Sequence, residues 1–183
     1  MVPLWMIVAY IVISAFVIFS IQKLNARKNE HYKKAALSSF IAYTFLFLFV
    51  WISKLPVPSY LIFLSMLMSF LSCYFGQYRL LYLRSRVFDR YVHALGAFTF
   101  SLLTYSFVRL FTSAGGSKLF QALFIFFAGM AIGAIFELAE AVHDVKNKHD
   151  VKDQKGLKDT NMDILFNLFG SCVSAVFAYY AFI

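Results

Sequence analysis

The 183-residue chain is 61% hydrophobic and only 14% charged, with a mean hydropathy of +0.72. Such a composition cannot cover a water-facing surface, which excludes a soluble globular protein and leaves a lipid bilayer as the solvent. The formal charge of +8 would suit nucleic acid, but the Lys and Arg side chains sit in short breaks between apolar runs, so they act as topology signals and no nucleic-acid partner is expected.

A helix needs ~20 mostly apolar residues to cross ~30 Å of hydrocarbon. The apolar runs predict helices over residues 2–22, 35–53, 59–83, 87–111, 119–143 and 161–182. The first has no positively charged leader and no A-x-A-like cleavage site, so it reads as a retained span rather than a secretory signal. None of the runs shows the alternation of barrel strands, and unpaired peptide groups are not tolerated in lipid. The expected fold is therefore all-α: one integral membrane domain over residues 1–183, a polytopic helical bundle of about six spans. Cys73 and Cys172 lie in separate apolar runs without metal-ligand spacing and read as buried thiols.

Fourteen of the seventeen Lys and Arg fall in alternate connections: Lys23 to Lys34, Arg79 to Arg90 (Arg86 among them), and Lys146 to Lys158 (Lys148 among them). Lys54, Arg109 and Lys118 fall on the other side. The positive-inside rule then puts both termini outside the cytosol. Trp5, Trp51, Tyr179 and Tyr180 would lie at the outer interface, and Tyr32, Tyr78 and Tyr82 at the inner one, as aromatic belts require. The turns at Lys54 to Pro58 and Thr112 to Lys118, the latter including Ser113, are short, so the helices they join should be antiparallel neighbours.

Acidic residues are concentrated late in the chain. Glu30 stands alone before Asp89, and the other eight lie between Asp89 and Asp163. Three helices carry them at helical spacing: Asp89 and His93; Glu137, Glu140 and Asp144; Asp159, Asp163 and Asn167. Counted inward from the last cytosolic basic residue at ~1.5 Å per residue, His93, Glu140 and Asp163 lie roughly 8–10 Å deep, with Glu137 and Asn167 at roughly 13 Å and Asp89, Asp144 and Asp159 at the mouth. Ionisable groups in lipid cost at least ~2.5–3.5 kcal/mol each, so they should face one another or a wet cavity. Gly129 and Gly133 continue at four-residue spacing to Glu137, and Gly170, Ser171 and Ser174 extend the face of Asn167, which favours close helix packing there.

Asp89, Glu137, Glu140 and Asp163 would repel one another unless protonated or neutralised by a cation. Carboxylates with one imidazole suit Mg²⁺ or Mn²⁺ and, less directly, Zn²⁺ or Fe²⁺. The expected metal set is Asp89, His93, Glu137, Glu140 and Asp163, with His93, Glu137, Glu140 and Asp163 as the catalytic candidates. His143, His31 and His149 read as interfacial or solvated. Three functions remain open: a metal-assisted enzyme or binding protein for a lipid headgroup at the cytosolic leaflet, a proton- or cation-coupled transporter, and a scaffold whose cluster is interhelical glue.

The stretches Phe88-Asp-Arg-Tyr-Val-His-Ala-Leu-Gly96, Gly133-Ala-Ile-Phe-Glu-Leu-Ala-Glu140 and Gly156-Leu-Lys-Asp-Thr-Asn-Met-Asp-Ile-Leu-Phe-Asn-Leu-Phe-Gly170 resemble the YjdF-like bacterial membrane family. More distantly, D-x-x-x-H and D-x-x-x-N-x-x-G are similar to VanZ-like proteins, which are linked to the cell envelope. The resemblance implies a multi-pass protein of the bacterial inner membrane and singles out Asp89, His93, Glu137, Glu140, Asp159, Asp163 and Asn167.

Overall fold

The computed structural model describes residues 2–85, 87–112, 116–146 and 152–182. Arg86, Ser113, Lys148 and His149, which enter the orientation and histidine arguments above, lie outside them. The described residues form helices α1 (Leu4–Ala26), α2 (Glu30–Ser53), α3 (Ser59–Phe70), α4 (Leu81–Arg84), α5 (Phe88–Phe111), α6 (Lys118–Lys146) and α7 (Leu157–Phe177). π-helical segments continue α3 over Leu71–Tyr78 and α7 over Ala178–Phe182. Six of these continuous helical stretches are long and apolar enough to cross a membrane, and no strand occurs among the described residues. An all-helical polytopic membrane bundle is thus the architecture.

Several helices run past the expected limits. α1 reaches Ala26, α2 starts at Glu30 and α6 ends at Lys146. Apolarity marks where hydrocarbon ends, whereas a helix continues through the polar interface until a cap stops it. Asn29 caps α2 by accepting a hydrogen bond from Tyr32 N at 3.0 Å. The third span departs more: instead of one helix to residue 83, it widens into the π segment, breaks at Leu80 with φ of 61°, and resumes as the single turn α4. Gly76 explains the geometry, since the Tyr82 ring occupies the space that a Cβ there would need.

Two compact units divide the chain, residues 1–89 and 90–183, with the boundary just inside α5. In the first, α1, α2 and the third span pack through aromatic rings. Tyr10 stacks on Phe47 at 4.4 Å, Phe16 meets Phe70 and Tyr74 edge-on, and Tyr43 donates to Ser14 at 3.1 Å in the core. Arg27 donates to the Tyr78 carbonyl at 3.0 Å and lies over its ring. Cys73 is buried here, whereas Cys172, expected to be buried, is exposed on α7.

The second unit packs through small residues. The buried face of α6 contains Ala122, Ile125, Gly129, Gly133 and Glu137, and that of α7 contains Asp163, Asn167, Gly170, Ser171 and Ser174. These are the faces expected from spacing. A Cβ at Gly129 would meet the Ser171 side chain and the Ala97 carbonyl, and one at Gly170 would run into the Ala94 backbone. Omitting the side chain lets α6 and α7 approach α5 closely enough for polar groups to converge.

Candidate metal centre

His93 of α5 and Glu137 and Glu140 of α6 each present a ligand atom within 4.8 Å of the others. On α6, Glu137 and Glu140 are three residues apart and so share a face. The His93 Nε2 to Glu137 Oε1 distance is 3.6 Å, and both side chains are more than nine-tenths buried. Glu137 Oε1 is buried without a hydrogen bond among the described residues. Two donors each ~2.1 Å from one ion at right or tetrahedral angles stand roughly 3.0–3.4 Å apart. The His93–Glu137 spacing is therefore a few tenths of an ångström from ligation, and too long for a good hydrogen bond.

Asn167 fixes the other side of the imidazole. Its Nδ2 lies 3.3 Å from His93 Nδ1. With the amide nitrogen turned to the ring, Nδ1 accepts and the proton sits on Nε2, facing Glu137. Rotating the amide by half a turn would present Oδ1 to an Nδ1–H and leave the Nε2 lone pair open to a cation, the arrangement usual for metal-bound imidazole. Gly133 provides the room: a Cβ there would lie 2.5 Å from the Asn167 side chain.

The segment before α7 closes on the same face of α6. Gln154 Nε2 donates to the Glu137 carbonyl at 3.0 Å and to Glu137 Oε2 at 3.2 Å. Both oxygens of buried Asp144 accept from this segment, from Asp153 N at 2.9 Å and Gln154 N at 3.0 Å. His143, placed at the interface by sequence, lies with Nδ1 2.9 Å from Asp153 Oδ2.

Of the seven residues expected at the site, His93, Glu137 and Glu140 come together, with Asn167 against His93. Asp163 is buried one turn from Asp159 on α7, a carboxylate oxygen of each lying within 4.8 Å of the other, and is not in the set formed by His93, Glu137 and Glu140, although its estimated depth matched His93 and Glu140. Asp159 lies in the first turn of α7, near Lys155 Nζ at 3.8 Å. Asp89 occupies the first turn of α5, one turn before His93. Gln154 was missed: a neutral residue in a charged connection gives no signal of folding back onto a helix seventeen positions earlier.

A protein of Thermotoga maritima described as uncharacterized is 31% identical over 115 residues, covering 60% of this chain. The match spans 57% of the relative's length. No solved structure matches. A family model described as "Predicted membrane protein (DUF2238)" matches residues 3–182, almost the whole chain. DUF2238 is the YjdF family, so the resemblance carried by the three motifs holds at that level, and the chain belongs to this family of multi-pass membrane proteins.

Proposed function

We propose that His93, Glu137 and Glu140 hold one divalent cation and use it to bind or act on an anionic lipid headgroup or similar envelope amphiphile at the cytosolic leaflet. The observation that carries this is Glu137 Oε1: a buried carboxylate oxygen, lacking a hydrogen bond among the described residues, faces His93 Nε2 at 3.6 Å with a second carboxylate in reach. Burying such an oxygen unsatisfied is costly, and a cation removes the cost while quenching repulsion between the two glutamates. Three protein ligands leave coordination positions for water or a phosphate oxygen, which the ion would polarise. Exposed Lys152, Lys155 and Lys158 would attract anionic lipid to the same end of α7. The VanZ-like resemblance favours an envelope substrate. Mg²⁺ and Mn²⁺ suit the oxygen-rich set, and Zn²⁺ suits its small ligand number. Titrating Mn²⁺ into the purified protein and following free ion by electron paramagnetic resonance tests the first step. Stoichiometric binding lost in Glu137→Gln is expected; no binding to the wild type refutes it.

A cation- or proton-coupled carrier is favoured by one other observation. Beyond Asn167, Ser171 and Ser174 continue along α7, Ser101 donates to Ser174 at 2.9 Å, and the buried Thr99 and Ser171 hydroxyls lack hydrogen bonds among the described residues. Such a hydroxyl row could carry water. Glu137-dependent proton flux in proteoliposomes would select this reading over the headgroup site.

A further inference from the structure

We infer that Gln154, locked in place by Asp144, is the positioning residue that turns the Glu137 carboxylate toward His93. The inference rests on the cation reading for its purpose, though the positioning itself is a property of the ion-free protein. A glutamate on a helix has three side-chain torsions and, left alone, would sample several rotamers. Here one amide group fixes it twice. Gln154 Nε2 donates to the Glu137 main-chain carbonyl and to Oε2, so the side chain is held against its own backbone. With Oε2 engaged, Oε1 is the oxygen presented to Nε2 of His93. The carboxylate is thereby divided into an anchored oxygen and a ligand oxygen.

Gln154 could not do this from a mobile segment. Its own main-chain N–H is held by one oxygen of Asp144 and that of Asp153 by the other, while the Asp153 side chain lies beside His143. Asp144 is seven residues after Glu137, two helical turns along the same face of α6. One face of this helix thus supplies both the ligand and the anchor for the residue that orients the ligand. Outer partners of this kind change metal affinity by about 10–100-fold when removed.

Gln154→Met tests it in the full-length protein in nanodiscs, since Met keeps length and volume but has no side-chain N–H to donate. The ion-free arm records the ¹⁵N resonances of the His93 ring. They should move in Gln154→Met, move similarly in Asp144→Ala, and stay put when Gln154→Met is added to Glu137→Gln, because the effect passes through Glu137. The ion arm measures Mn²⁺ affinity, which should fall about 10–100-fold in both single variants while the coordination spectrum broadens. Unmoved His93 resonances in Gln154→Met, or in Asp144→Ala should the former not fold, overturn the inference whatever the ion does. Resonances that move in Gln154→Met while the wild type binds no Mn²⁺ would uphold the positioning and overturn the cation reading instead.

Discussion

Gly133 and Asn167 face each other so closely that the amide of one fills the place where the other would carry a side chain. Gly133→Ala should therefore force Asn167 away from His93. Overpacking of this sort costs about 1–3 kcal/mol, which outweighs the ~1 kcal/mol that Ala offers a helix over Gly. The expected result is a lower thermal unfolding midpoint in detergent. A raised midpoint would mean that Asn167 yields without cost and that the close approach of α6 and α7 does not depend on Gly133.

Asn167 should govern which ring nitrogen of His93 is available. Asn167→Asp supplies only acceptor oxygens to Nδ1, favouring the tautomer with an open Nε2, so Mn²⁺ binding should be retained or tightened. Asn167→Leu removes the partner and should weaken binding by about tenfold or more. Equal affinities in the two variants would show that Asn167 packs beside the ring without orienting it.

Asp163 separates two versions of the site. Depth alone groups it with His93 and Glu140, whereas its carboxylate lies within 4.8 Å of that of Asp159 and His93 lies close to Glu137 and Glu140. Glu140→Gln should reduce Mn²⁺ affinity by at least about tenfold, and Asp163→Asn should leave it within experimental scatter, calorimetry being the measurement. A larger loss in Asp163→Asn would place that carboxylate among the ligands.

Orientation determines which leaflet the site serves. With Cys73 and Cys172 replaced by Ser, an impermeant thiol reagent applied to intact cells should label Thr112→Cys and spare Lys28→Cys. Both positions are exposed and polar. Label on Lys28→Cys alone would invert the protein and turn the proposed headgroup site toward the outer leaflet.

The six spans and their polar faces were legible in the sequence because the bilayer enforces them. Peptide groups in lipid must pair within a helix, and charge is excluded from hydrocarbon, so apolar run length and the Gly129, Gly133, Glu137 spacing suffice to locate helices and their buried faces. The fixed rise of a helix also gives each polar residue an expected depth. Depth, however, is one coordinate. Which groups of equal depth meet depends on the rotation and lateral position of each helix, and close packing at Gly129, Gly133 and Gly170 decided that. It brought His93 to Glu137 and Asn167, which the depth estimate set one layer below, and put Asp163 beside Asp159 instead. The break at Leu80 was likewise invisible, since nothing in an apolar run records that Tyr82 will pack on Gly76. Gln154 meets Glu137 with its own main-chain N–H and that of Asp153 held by Asp144, a long-range contact that has no periodicity for a sequence to display.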